Sequence, residues 1–245
     1  MPPADFRKTL DGIWWILVTG SIWNQLPERY GKWNSVYRFH LRWAHKGVFN
    51  QLLAIHAAEQ NACPFKVIDA THIKVHQDAC RHPQPAVDRC LGKTKGGRNS
   101  KLHVCVNGRG KAIFLLLRPG NEREVLTALD VLQDVGGKIV FADRGYDSDK
   151  LRSQIDAAGG IPVIPPKKGR TNEVFYVSEI GRNRRVVENF SARVKRHRRV
   201  NTPLRQSRRN VHGIRKSSVH SGLGPILICP LCLVRYGGHV GQAND

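Results

Sequence analysis

The most informative residues of this chain are three carboxylates set among apolar and basic residues. Asp69 closes an apolar run that begins at Lys66, and Asp143 closes a second run that begins at Lys138. Glu188 lies in a basic segment with helical spacing. Mg²⁺ and Mn²⁺ prefer carboxylate oxygens and leave room for phosphate oxygens. The three acids therefore indicate a metal site that faces a polyanion, where a pair of ions can clamp the attacking and leaving oxygens of a phosphodiester.

The composition of the chain points to the same partner. Its 245 residues include 40 Lys and Arg against 19 Asp and Glu, for a formal net charge of +21. Such a charge favours nucleic acid first and an anionic membrane surface second. The longest apolar runs, 112–117 and 226–234, are shorter than the roughly 20 residues of a membrane span, and the first residues lack the order of a secretory signal. Six irregularly spaced cysteines favour reduced thiols over a disulfide framework.

The first 60 residues predict a small all-α domain. Apolar spacing predicts a helix over 6–19 that ends at Gly20, and a second helix over 36–46 with Asn34 or Ser35 as its N-cap. A helix, a turn and a basic helix are the minimum description of a helix-turn-helix. The alternative is a helical bundle in which the tryptophans are mostly core. The candidate DNA contacts on the second helix are Arg38 and Arg42.

Strand patterns replace the helical ones from about residue 61 to residue 202. Three strands are predicted over 65–76, 101–107 and 112–118, and the last two form a hairpin. Helix, strand, helix, strand and helix follow over 122–134, 138–142, 148–158, 161–164 and 184–200. This is the element order of a ribonuclease-H-like α/β domain with a mixed sheet and flanking helices. In that order the first and fourth strands are neighbours at the sheet centre, so Asp69 and Asp143 converge.

The last predicted helix separates a polar face from an apolar one. At about 100° per residue, Arg184, Glu188 and Lys195 project from the same side. The apolar stripe for the sheet consists of Val187, Phe190 and Val194. For an isolated helix, a solvated basic face with an incidental glutamate would be the simpler interpretation. The two aspartates in the expected order favour a functional face that looks into a DNA groove.

A glycine-rich segment over 92–101 has two interpretations. It is either an exposed connection between strands or a clamp on DNA phosphates. A nucleotide-binding P-loop is excluded, because the position five residues before Gly92 holds Val87 instead of glycine. The Cys and His residues from Cys80 to Cys105 form no Cys-x-x-Cys zinc pair. The cations of the segment are Lys93, Lys95, Arg98 and Lys101.

These motifs together resemble the DDE transposases of bacterial insertion sequences of the insertion-sequence-five type, within the wider insertion-sequence-four-like group. The resemblance extends from about residue 10 to residue 200. Its strongest parts are Leu26-Pro-Glu-Arg-Tyr-Gly-Lys-Trp33, Asp69-Ala-Thr-His-Ile-Lys-Val-His76, Gly92-Lys-Thr-Lys-Gly-Gly97 and Ala142-Asp-Arg-Gly-Tyr-Asp147. The family's tyrosine–arginine–glutamate–lysine signature is matched by Arg184, Glu188 and Lys195, whereas its tyrosine position holds Gly181.

The resemblance implies that Asp69, Asp143 and Glu188 bind two divalent ions, Mg²⁺ or Mn²⁺. It implies that water is activated to nick the transposon end, and that the resulting 3′ hydroxyl then attacks target DNA. It also implies double-stranded DNA as partner, a homodimer when active on DNA, and a bacterial cytoplasmic protein associated with the nucleoid. Two alternatives stay open: a catalytically silent DNA-binding remnant, and another ribonuclease-H-like nuclease.

The tail over 203–245 departs from the family pattern. Residues 203–216 read Pro-Leu-Arg-Gln-Ser-Arg-Arg-Asn-Val-His-Gly-Ile-Arg-Lys. Read one base later, allowed codons for this stretch spell Arg-Tyr-Asp-Lys-Ala-Ala-Ala-Met-Phe-Met-Gly-Phe-Val-Lys, which is strongly helical. The match suggests a frameshift near Thr202, and the coding DNA decides it.

A chain with the shifted frame restored over 203–216 is expected to have a higher melting temperature than the present chain. The present tail offers no sustained apolar stripe, and leaving a few hundred Å² of apolar surface uncovered at roughly 25 cal/mol per Å² is large against a typical stability of about 5–15 kcal/mol. Thermal unfolding of both chains measures the difference. Equal melting temperatures, with 203–245 protected in hydrogen exchange, would contradict the frameshift.

Overall fold

The computed structural model describes residues 5–60, 62–75, 90–172, 174, 176 and 184–201. Gly181, the segment from Cys80 to Val87 and the tail over 203–245 lie outside these residues. The described helices are α1 (Phe6–Thr19), α2 (Trp33–His45), α3 (Val48–Gln60), α4 (Glu124–Val131), α5 (Asp149–Ala157), α6 (Arg185–Lys195) and α7 (Arg198–Asn201). The described strands are β1 (Phe65–Lys74), β2 (Gly92–Thr94), β3 (Gly97–Asn107), β4 (Ala112–Pro119), β5 (Ile139–Phe141) and β6 (Ile161–Val163).

The strands form one mixed sheet in the order β2-β3-β1-β5-β6, with β4 paired to β3 beyond this path. β1 is antiparallel to β3 and parallel to β5, and β6 continues the parallel side. The predicted ribonuclease-H-like arrangement is confirmed, including the first and fourth predicted strands as neighbours. The short strand β2 was not predicted, because its residues are glycine-rich and carry no alternating apolar pattern.

Helices cover both faces of the sheet, as the alternation of side chains along a strand requires. On one face, Val67 and Phe141 pack with the apolar stripe of α6. On the other face, Ile68 and Val140 pack with α4 and α5. β1 is therefore buried on both sides and hydrogen-bonded along both edges, which makes it the most constrained strand.

The N-terminal helices form a third apolar cluster of their own. Asp5 caps α1 by accepting the Lys8 N–H at 3.0 Å, and the helix ends at Gly20, as predicted. The predicted N-cap of the second helix is wrong, because α2 begins at Trp33 and Asn34 lies inside it. Trp33 is 42% exposed and thus departs from the predicted tryptophan core. The four other tryptophans pack against the cluster.

The N-terminal helices contact the end of the described chain. The predicted helix over 184–200 is two helices, since α6 ends at Lys195 and α7 begins at Arg198. The His197 ring between them meets Trp14 of α1 edge-on, with 5.0 Å between centroids. Arg199 donates a hydrogen bond to the backbone oxygen of Ser21. In the described part of the chain, no helix is both long and apolar enough to cross a membrane.

Gly20→Ala is expected to destabilise the protein more than Gly47→Ala does. Both glycines have a positive φ, +75° and +68°, so an alanine costs about 1–2 kcal/mol of backbone strain at either position. Only at Gly20 would the new Cβ also lie 2.8 Å from the Cβ of Arg198, whereas nothing lies within 4 Å at Gly47. Urea unfolding of both variants measures the difference, which reports the contact between α1 and α7. Equal losses would show that this contact contributes nothing.

Candidate active site

Asp69 and Asp143 lie side by side. β1 and β5 pair in parallel, and their last paired residues are Val67 and Phe141. Asp69 stands two residues further along β1, on the sheet face that α6 covers. Asp143 stands two residues after Phe141, just beyond the end of β5. The sequence suggested that Asp69 ends its strand. In the structure β1 continues past Asp69 to Lys74, paired with β3. The pairing with β5 is what ends before Asp69.

Burial and like charge act together on Asp69. Burial is the larger cause, and with the neighbouring charges of Asp143 and Glu124 it raises the pKa of Asp69 to about 6. The N–H of Ala70 and the charge of Arg184 oppose this rise. A cation at the aspartates would relieve the repulsion, so the donors present fit a hard divalent ion.

A tight turn fixes the Asp143 carboxylate. Asp143 caps the short 3-10 turn Arg144–Tyr146, and its Oδ1 accepts the Gly145 N–H at 2.7 Å. A Cβ on residue 145 would lie 2.9 Å from Asp143 Oδ1 and equally close to Glu124 Oε2. Glycine is therefore the residue that leaves both carboxylates in place.

Glu124, in the first turn of α4, is a third carboxylate at this point, and the sequence analysis missed it. Glu124 Oε2 lies close to Asp143 Oδ1, because each oxygen is 2.9 Å from the position that a Cβ on residue 145 would occupy. Lys101 Nζ lies 3.3 Å from its other oxygen. Burial raises the pKa of Tyr146, and Glu124, Asp69 and Asp143 raise it further. An acid in the first turn of a helix is ordinarily interpreted as a partner of the helix dipole. Only the tertiary structure, in which Glu124 and Asp143 meet at Gly145, identifies Glu124 as part of this site.

Glu188 does not join the two aspartates as a ligand cluster. Its side chain is 59% exposed and pairs with Arg184 at 3.7 Å across one turn of helix. Arg184 also lowers the pKa of Asp69, so its guanidinium acts on both carboxylates. Among the described residues, no three His, Cys, Asp or Glu side chains are grouped so that they could hold a metal ion. The structure thus brings together Asp69 and Asp143 and leaves Glu188 bound to Arg184.

The basic residues predicted to clamp DNA separate into two groups. Lys93, Lys95 and Arg98 are exposed, and they lie on a hairpin in which Lys93 pairs with Arg98. This hairpin lies at the edge of the sheet toward which β1 runs, because Asn99 pairs with Lys74. Lys101 differs from the expectation of an exposed clamp: it is buried, donates to the backbone oxygen of Glu122 at 2.8 Å, and pairs with Glu124.

The second helix presents its arginines to solvent. Arg38 and Arg42 are both exposed and lie one helical turn apart on α2. His40 between them is buried against Trp23 and Phe49. Burial lowers its pKa to about 4, so it is neutral at pH 7 and belongs to the core. On α6, Lys195 is half-buried in the last turn.

Comparisons with known proteins agree with this architecture. Residues 64–215 match the family model described as "Transposase DDE domain", and residues 1–53 match one described as "Putative transposase of IS4/5 family". The chain is a transposase with a DDE domain. Within that class it belongs to the insertion-sequence-four and -five type, as the motifs indicated. Transposase DDE domains generally use divalent metal ions and act on DNA.

Two relatives illustrate the similarity. The chain is 30% identical over 161 residues to a "Putative transposase for insertion sequence element IS402" of Burkholderia cepacia, covering 58% of this chain and 71% of that protein. It is 36% identical over 103 residues to an "Uncharacterized protein y4sN" of Sinorhizobium fredii, covering 42% of this chain and 74% of that protein. No solved structure matches the chain. The DDE match ends at residue 215, inside the tail, so the frameshift hypothesis still depends on the coding DNA.

Asp69→Asn is expected to stabilise the metal-free protein at pH 7 and to change little at pH 4. The pKa of Asp69 is about 6 in the folded protein and 3.8 in the unfolded chain. Between these values the folded protein keeps a proton that the unfolded chain releases, so stability falls as pH rises through this window, by about 2–3 kcal/mol. Urea unfolding in EDTA at both pH values measures the effect. Asp156→Asn, at an exposed position of α5, is the control. If the free energy of unfolding changed equally in both variants at both pH values, the raised pKa of Asp69 would be contradicted.

Proposed function

We propose that this transposase binds the ends of an insertion sequence and catalyses metal-dependent cleavage and transfer of DNA strands. The observation that carries the proposal is the register of β1 and β5, which sets Asp69 beside Asp143. The family match and the charge of +21 support DNA as the substrate. Its partners are double-stranded transposon ends and target DNA, a second copy of the chain on that DNA, and hence the bacterial nucleoid as its place of action.

Asp69, Asp143 and Glu188 would hold the divalent ions, because carboxylate oxygens are the donors that Mg²⁺ and Mn²⁺ prefer. When bound, two such ions supply an activated nucleophile and neutralise charge on the phosphate. The chain contributes position: the Gly145 N–H orients Asp143, and Lys101 holds Glu124 beside it. Since this reaction needs no covalent enzyme intermediate, catalysis depends on this positioning and on charge.

Arg184 and Glu188 act as a pair in this proposal. In the described arrangement the Arg184 guanidinium lies near Asp69 and 3.7 Å from Glu188. Arg184 is half-buried and Glu188 is exposed, and an ion pair across one helical turn contributes little to stability, about 0.3–0.5 kcal/mol. The pair therefore separates at small cost, which releases the Glu188 carboxylate for the ions and the guanidinium for a phosphate of DNA.

A catalytically silent DNA-binding remnant is the second candidate. The observation that favours it is the tail over 203–245, which departs from the family pattern. Another ribonuclease-H-like nuclease would cleave without transferring strands. An assay on labelled transposon ends with Mn²⁺ separates the three, because they give transfer products, no products, or cleavage products alone.

Asp143→Asn and Glu188→Gln are each expected to lower strand cleavage at least a hundredfold and to leave DNA affinity within about twofold. Both changes remove a charge that the reaction requires while keeping the shape of the side chain. Cleavage of a labelled end duplex and its anisotropy are measured in parallel, with Asp156→Asn as the matched control. Full cleavage by purified Asp143→Asn protein would refute the assignment of the site.

A further inference from the structure

A second basic turn lies at the same sheet edge as the two aspartates. β5 and β6 pair in parallel with Phe141 opposite Val163. Pro165 stands two residues after Val163, just as Asp143 stands two residues after Phe141, so the two residues lie at the same end of neighbouring strands. The turn over 167–170 comes next, and three residues of chain from Pro165 reach at most about 11 Å. The turn therefore stays close to the proposed site, on the side opposite the hairpin that carries Lys93 and Arg98.

A buried carboxylate fixes this turn. The side chain of Asp147 is 1% exposed. Its Oδ1 accepts from Arg152 Nε and Nη2 at 3.0 and 2.9 Å and from Arg170 Nη1 at 2.7 Å. Its Oδ2 accepts the backbone N–H of Lys167 at 2.8 Å. Burial by itself would raise the pKa of Asp147, but these donors outweigh it and hold that pKa below its usual value.

The same network extends to both ends of the turn. The Lys167 ammonium donates to the backbone oxygen of Asp147 at 2.8 Å. Arg170 also pairs with Asp149, and its N–H closes the turn on the Lys167 oxygen at 3.2 Å. The flanking cations are thus committed to holding the turn.

The tip of the turn points to solvent. Lys168 is exposed. Gly169 has φ +75°, and a Cβ there would meet nothing within 4 Å. A rigid turn that offers one ammonium group and an open backbone has the form of a contact for an anionic oxygen, and a phosphate of the DNA strand is the anion that this site faces.

We propose that the turn over 167–170 contacts DNA, with the Lys168 ammonium bound to a phosphate of the DNA backbone. Asp147 is a positioning residue that holds the turn in place. DNA would then cross the sheet edge over the two aspartates, with the hairpin of Lys93 and Arg98 on one flank and this turn on the other. The proposal rests on the proposed function for the identity of the anion.

The test measures the affinity of the full chain for a short duplex by fluorescence anisotropy over a series of KCl concentrations in EDTA. Each neutralised phosphate contributes about −0.9 to the log–log slope. Lys168→Ala is expected to reduce the magnitude of the slope by about 0.9 and to weaken binding severalfold at low salt. Arg109→Ala is the matched control, because it removes one exposed cation from the β3–β4 hairpin at the opposite edge of the sheet. Its slope is expected to equal that of the wild type.

Asp147→Asn provides a second measurement. It makes the protein more positive by one charge, so charge alone predicts tighter binding, whereas release of the turn predicts weaker binding. Circular dichroism confirms that the variant is folded, and Lys168→Ala stands alone if it is not. A Lys168→Ala slope equal to that of Arg109→Ala would overturn the proposal while leaving the proposed function intact. Wild-type binding without salt dependence would instead reject both.

Discussion

The parallel pairing of β1 with β5 is the interaction on which the rest of the structure depends. It joins two segments more than 60 residues apart in the chain and ends two residues before each aspartate. β1 can hold this place because β3 satisfies its other edge and helices cover both of its faces. A shift of one residue would turn Asp69 to the opposite face and replace it with an apolar neighbour. The same pairing that builds the core therefore sets the geometry of the candidate site.

Two aspartates four residues apart in sequence illustrate how environment divides chemical from structural roles. Asp147 is buried, but four hydrogen bonds from protein donors stabilise its charged form. Asp143 faces Asp69 and Glu124, and the pKa of Asp69 is raised because burial and like charges meet there without enough donors. A satisfied carboxylate holds a turn in place. Asp69 and Asp143 have fewer donors and repel each other, and a divalent ion would relieve that repulsion.

Two sets of basic residues lie around Asp69, Asp143 and Glu124. Lys101 is buried and bound to Glu124, and Arg184 pairs with Glu188 and lowers the pKa of Asp69. Further out, exposed cations occupy the β2–β3 hairpin and the turn after β6. The inner cations hold the carboxylates, and the outer ones are free to meet phosphates. Among the described residues, exposed positive charge therefore flanks the acidic residues on two sides, as the proposed binding of a polyanion requires.

The amino-acid sequence alone determined the mixed sheet, the order of its five main strands and the proximity of Asp69 and Asp143, because apolar periodicity and strand order are local and topological properties. It also determined the family, through motifs that the family models match. It did not predict β2, whose residues lack an alternating pattern, or the break between α6 and α7. Only the tertiary structure decided the contributions that depend on distant side chains. Glu124 becomes part of the acidic cluster because α4 packs beside Gly145, and Lys101 is withdrawn from solvent because that glutamate lies 3.3 Å away. His40 looks basic in sequence, yet burial makes it neutral. In each case the neighbours that set the charge come from another segment, and no pattern within the residue's own segment records them.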